Sequence, residues 1–286
     1  MRPVIACLLV AVTACGGQAT VTTPPATTST STSGPSTTST TTMSLGIGCR
    51  NETEFVASGQ IERITQPSSD SRTLGLVSRQ VTDGCERFGF DFDTAENAPA
   101  TTPPSVTASF LEGERVIRIS LGIARTVITD QLIETRLVDR MFVVRALDGS
   151  LFVDLHLKEK ANARVTLSNN PALLTIELHP ASGEIGPAPS VSSRTVLITP
   201  VVGATVGEEV EITGYARTSE ANVLVVATRA EEVLVEASTT AADWVEIWGE
   251  FATVVTLPPG TIDLFVGEES PADGSLQGVT LRLTVQ

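Results

Sequence analysis

Apolar and polar residues alternate with a period of two along much of this chain, the pattern of strands that bury one face. In "LFVDLHLK" (151–158), Leu151, Val153, Leu155 and Leu157 fall on one side, while Phe152, Asp154, His156 and Lys158 fall on the other. "RFGFDFD" sets Phe88, Phe90 and Phe92 against Asp91 and Asp93, and "VIRISLGIA" sets Val116 and Arg118 apart from Ile117 and Ile119. The Asp-Gly of "LDGS" (147–150) is a hairpin signal, and "ALLTIELHP" is a further strand introduced by "SNNP". "TDQLIETRLVDRMFVV" reads as partly helical or, from its Val, Ile, Thr and Phe content, as strand. Residues 45–181 are therefore expected to form a mostly antiparallel β-sandwich. A Gly/Pro/Ser stretch, "SGEIGPAPSVSSR" (182–194), reads as a hinge. Beyond it "TVLIT", "EVEITGYA", "NVLVVATR", "EVLVEAST", "EFATVVTL", "TIDLFVG" and "GVTLRLTV" give seven short strands over 195–286, the density of an immunoglobulin-type sandwich. Val225, Val235, Leu264 and Leu283 are expected in its core, with Trp248 and Phe251 as plugs. The predicted fold class is all-β, with two tandem β-sandwich domains.

The first 44 residues break the pattern. Arg2 precedes an apolar run, "PVIACLLVAV" (3–12), too short to span a bilayer. Thr13, Ala14 and Cys15 close it, and the stretch resembles the lipobox of bacterial lipoproteins. That resemblance implies cleavage before Cys15 (residues 1–14 being the signal peptide) and acylation of its sulfur, holding the chain to a lipid bilayer. The alternative is an ordinary secretory signal with an incidental cysteine. Residues 19–44 are nearly all Thr, Ser and Pro, too poor in apolar side chains to offset the entropy of ordering. Such a tether reaches about 30 Å as a coil and at most about 85 Å extended.

Acidic residues outnumber basic ones, 33 to 19, which argues against nucleic acid as a partner. Only Lys158 and Lys160 are lysines, a bias that suggests a GC-rich, actinobacterial source. Of the cysteines left after signal removal and acylation, Cys49 and Cys85 form the expected disulfide of an exported protein. A metal pair or two free thiols are the alternatives, and neither CxxC spacing nor a nearby histidine favours the former.

In the first region, "DGCERFGFDF" (83–92), "PPSVTASF" (103–110) and the long segment "LFVDLHLKEKANARVTLSNNPALLTIELHP" follow one another. Their order resembles the AMIN-like domain of actinobacterial lipoproteins, with Cys85 and Glu177 as departures. The resemblance implies envelope binding, to peptidoglycan or envelope proteins, and no chemistry. In the second region Pro200 and Gly203, "GYARTSEANV" (214–223), "WGEF" (248–251) and "EESPADGS" (268–275) resemble the immunoglobulin-like domain of bacterial spore-germination proteins. Ser219 stands where that family has an aromatic residue.

No nucleophile–base pair, phosphate loop or metal motif occurs, so no catalytic residue, cofactor or metal is expected. His156, beside Asp154, is expected on an exposed sheet face, and His179 at the surface. Glu220, Glu269, Ser270, Asp273 and Ser275 are candidates for a binding surface, although Asp273-Gly274 equally makes a turn. The functional expectation is a lipid-anchored, extracytoplasmic, non-catalytic binding or scaffolding protein. A germination-associated lipoprotein and an envelope hydrolase with an unrecognised site, tested by changing His156 or Asp154, are the alternatives.

Overall fold

The computed structural model describes residues 54–82 and 84–286. The expectations placed on the signal, on Cys15, on the tether and on Cys49 lie outside these residues. Among the described residues eleven strands belong to the first region: β1 (Gln60–Ile64), β2 (Thr73–Thr82), β3 (Cys85–Asp93), β4 (Val106–Phe110), β5 (Val116–Leu121), β6 (Arg125–Thr126), β7 (Gln131–Leu132), β8 (Val138–Arg145), β9 (Leu151–Leu157), β10 (Ala161–Ser168) and β11 (Leu173–Pro180). The segment whose pattern allowed a helix holds β7 and β8, as its β-branched and aromatic content favours. Nine more follow: β12 (Ser190–Val191), β13 (Thr195–Thr199), β14 (Thr205–Val206), β15 (Glu209–Ala216), β16 (Asn222–Arg229), β17 (Glu232–Thr240), β18 (Trp248–Thr256), β19 (Gly260–Glu269) and β20 (Leu276–Val285). The seven strands read from the sequence of the second region are all present, and the fold is all-β.

Three sheets build it. One has the order β10-β11-β3-β2-β6, another β14-β20-β19-β16-β17, and the third runs β1-β4-β5-β9-β8-β18-β15-β13-β12 with β7 also on β8. This third sheet is common to both regions. Its first half faces the β10-to-β6 sheet across a core that contains Phe88, Phe90, Ile117, Val153, Leu155 and Ile176. Its second half faces the β14-to-β17 sheet across another, with Val225, Phe251, Leu264 and Leu283. Val235 is only partly buried against that core.

The halves join where β18 pairs in parallel with the end of β8, Val144 opposite Trp248 and Arg145 opposite Gly249. The segment between the regions is also held: the Gly186 amide donates to the Gly113 carbonyl at 2.8 Å, and Arg115 Nε donates to the Gly186 carbonyl at 2.8 Å. β12 then pairs with β13. All the described residues fall in one compact unit.

Candidate functional site

β5 and β18 are three strand positions apart in the shared sheet, which in a flat sheet means about 14 Å. Yet Arg118 Nη1 on β5 lies 3.3 Å from Glu250 Oε1 on β18. The outer face of β9 is buried, and its Phe152 and His156 meet Tyr215 of β15, so the sheet turns over at the β8–β18 join and lays its second half across the outer face of the first.

Enclosed in that fold is a third apolar cluster, with Phe142, Val144 and Phe152 from the first region and Val196, Tyr215 and Trp248 from the second. The rings meet at angles rather than face to face, Phe142 5.1 Å from both Tyr215 and Trp248, the arrangement aromatic quadrupoles favour. Trp248 Nε1 donates to Asp130 Oδ1 at 3.0 Å. Trp248 thus plugs the junction between the sandwiches, while Phe251, expected beside it, plugs the core of the second.

Each residue of "WGEF" then has a task. Trp248 and Glu250 point into the junction and Phe251 points away, as strand alternation requires. Gly249 admits the preceding loop, since a Cβ there would stand 2.1 Å from the Asp243 nitrogen.

The structure corrects the reading of β9. Every residue of the strand is buried. Asp154 is 0% exposed and His156 6% exposed, because the second sandwich covers the face that alternation had assigned to water. Asp154 receives two parallel bonds from Arg118, Nε to Oδ1 at 2.9 Å and Nη2 to Oδ2 at 2.8 Å, the strong bidentate geometry. The guanidinium also lies 3.8 Å above the Phe152 ring. Burial disfavours its charge, but Asp154 and then Glu250 more than offset this, so its pKa rises. His156 Nε2 and Tyr215 Oη are 2.6 Å apart. Burial, with Arg140 and Arg118 adding to it, pushes His156 down to about 3, so the imidazole is neutral at ordinary pH. Burial raises the Tyr215 phenol well above its usual value. A neutral imidazole whose Nε2 accepts from the protonated phenol satisfies that nitrogen and the hydroxyl.

The second-region candidates sit elsewhere. Glu269, Ser270, Asp273 and Ser275 are brought together at the β19–β20 hairpin. The Ser270 amide donates to the Ser275 carbonyl at 2.8 Å, and the Gly274 amide to the Ser270 carbonyl at 2.9 Å. Asp273 Oδ1 accepts from the Ser275 hydroxyl at 2.8 Å, which holds the Asp273 carboxyl below its usual range. Gly274, at φ 72°, takes the left-handed position. Glu220 is exposed in a separate 3-10 turn, Ser219–Ala221.

Sequence reasoning passed over the residue that links these two loops. Glu268 is buried, accepts the Ser219 amide at 2.6 Å and pairs with Arg194 at 2.8 Å. Burial would raise its pKa; the Ser219 amide and Arg194 outweigh that, and it falls. Glu177, noted as a departure, is also buried and bridges β3 and β10, accepting from Arg87 Nε and Arg164 Nε at 2.9 Å each. His179, partly exposed, has its ring 6.3 Å from that of Phe55. Cys85 is buried at the start of β3. Among the described residues no group of three or more His, Cys, Asp or Glu is gathered as metal ligands, and no helix is long and apolar enough to cross a membrane.

Arg118, Tyr215 and Glu250 were not singled out from the sequence as site residues. The usable signal was Phe152, an aromatic on a face read as polar.

Comparison with curated proteins and with solved structures returns no match. The family model for Gmad2, the immunoglobulin-like domain of bacterial spore germination, matches residues 195–275, so the second sandwich from β13 to the β19–β20 turn is similar to that domain.

Proposed function

We propose that the chain is a lipoprotein of the bacterial envelope, held on the extracytoplasmic side of the membrane through acylated Cys15. It projects, on a Thr/Ser/Pro tether, a non-catalytic binding body made of an AMIN-like and an immunoglobulin-like sandwich. Its partners are peptidoglycan or other envelope proteins, and Cys49 and Cys85 form a disulfide in that oxidising compartment.

The observation that carries this reading is how the buried ionisable groups are used. Arg118 clamps Asp154, and His156 meets Tyr215. The His156–Tyr215 and Arg118–Glu250 contacts cross from one sandwich to the other, so the two regions present their outer surfaces as one platform. His156 and Asp154, the residues named to test a hydrolase, are enclosed and paired. Support for the anchor comes from "VTAC" and the tract after it. The match at residues 195–275 favours a second reading, a part in germination, for which the same anchored platform would serve.

Mass spectrometry of the mature protein is expected to find a diacylglyceryl thioether on Cys15. The purified chain is expected to co-sediment with cell-wall material or to crosslink to envelope proteins in intact cells. A freely soluble product cleaved elsewhere, with neither interaction, refutes the proposal. Loss of spore germination on deleting the gene, with vegetative envelope function intact, would select the second reading.

A further inference from the structure

Beside the Arg118–Glu250 contact the turned-over sheet leaves a cavity of about 580 Å³. That lies within the range of small-molecule sites, roughly 300–1,000 Å³. Three segments that are distant in sequence wall it: the loop after β4, the connection between the regions, and β13 to β15 of the second sandwich. Leu111, Pro187, Ile198, Pro200, Val201 and Val206 make the lining largely apolar. The walls are fixed, since the Gly186–Gly113 and Arg115–Gly186 bonds pin the connection beside the loop.

Two charged groups described above reach this space, Arg118 and Glu250, and their balance is unequal. Arg118 commits Nε and Nη2 to Asp154 and places Nη1 near Glu250. Among the described residues neither carboxylate has another ion-pair partner. Burial raises the Asp154 carboxyl, but both its oxygens accept from Arg118, as an ionised carboxylate does, so one guanidinium faces two carboxylates and one negative charge is left over. Asp154 is fully buried behind the guanidinium, whereas the Glu250 side chain keeps 23% exposure. The Glu250 oxygens each accept one bond, from Arg118 and from the Leu147 amide at 3.0 Å, about half of what a carboxylate can take. Glu112, also on the lining and exposed, adds to the same sign.

We propose that this cavity binds a small amphiphilic amine. Its apolar body would lie along Leu111, Ile198 and Val206, and its ammonium group would sit on Glu250. The assignment goes beyond the envelope-binding reading and does not rest on it, because a chain lacking any acyl group has the same cavity.

The test titrates the full mature chain with n-hexylammonium, n-hexanol and n-hexanoate, following the amide signals of Gly113 and Gly214, both on the lining. Saturable shifts are expected with hexylammonium at concentrations at least about tenfold below those needed for hexanoate, the worth of roughly one charge-assisted bond. Glu250→Gln is expected to remove that advantage while leaving hexanol binding in place. Ala204→Phe, which fills the space from its rim, is expected to weaken all three ligands. Equal binding of hexanoate, an unchanged preference in E250Q, undiminished binding in A204F, or no shift at either glycine overturns the proposal.

Discussion

Replacing Arg118 with methionine removes the guanidinium that pairs with Asp154 and leaves that carboxylate fully buried. A stranded carboxylate avoids the full cost of desolvation by taking up a proton. The penalty at pH 7 is then set by holding neutral a group that ionises near 3.9 in the unfolded chain, at most about 4 kcal/mol at 1.36 kcal/mol per unit, because burial already raises the Asp154 carboxyl in the wild type against the pull of Arg118. This agrees with the ~3–5 kcal/mol found on breaking buried pairs. For a folded body of this size it lowers the Tm by roughly 8–16 °C. The sign of the pH dependence is diagnostic. In R118M the folded state holds a proton that the unfolded state has released, so the deficit relative to wild type shrinks as pH falls. It drops to about 1 kcal/mol or less near pH 4.5. The double variant R118M/D154L has no charge to strand and is expected to recover most of the loss at pH 7. Both variants lose the stack on Phe152 and the contact with Glu250, so these cancel between them. Urea unfolding followed by tryptophan fluorescence, at pH 7 and 4.5 with wild type alongside, measures all four quantities. A double variant as unstable as R118M, or an R118M deficit that ignores pH, refutes the account of the junction.

Other outcomes follow from the same contacts. His156 titrates near 6.5 when unfolded but is pushed to about 3 in the fold. Its contribution is therefore complete above pH 6.5 and is lost below it, by roughly 2–3 kcal/mol at pH 4.5; H156Q should flatten that part of the acid-unfolding profile. Tyr215→Phe leaves the His156 ring nitrogen without its 2.6 Å partner and should cost about 1–3 kcal/mol in urea unfolding. Glu268→Ala leaves the Ser219 amide and Arg194 without their acceptor and should cost about 2 kcal/mol, with faster hydrogen exchange in the Ser219–Ala221 turn than in E268Q. Thiol labelling of the unfolded mature protein should modify Cys85 only after reduction; labelling beforehand would rule out its disulfide with Cys49.

Period-two patterning located the strands because each sandwich solvates some faces, and the hydrophobic contrast survives along β3, β16 and β20. It misassigned one face of β9. Alternation distinguishes the two sides of a strand but does not say what covers the second side. Asp154 and His156 look solvent-directed until Arg118, Tyr215 and the turned-over sheet are in view. The signal that remained was local, an aromatic Phe152 sharing a face with Asp154 and His156, and the chain's single tyrosine. The β19–β20 turn was legible from Asp273-Gly274, because turn chemistry depends on adjacent residues. Glu268 was not, since Glu268 and Glu269 are indistinguishable as letters and only the sheet face separates the buried one from the exposed one.

Because β8 and β18 are neighbours in a single sheet, the boundary visible in the sequence is no place to cut. Expressed alone, residues 195–286 would expose Tyr215, Trp248 and Val196 to water, together with the end of β18 that pairs with β8, a surface prone to self-association. A recombined gene that carried off this module by itself would have to supply a new cover, or repaint those positions with polar side chains, before its product stayed in solution.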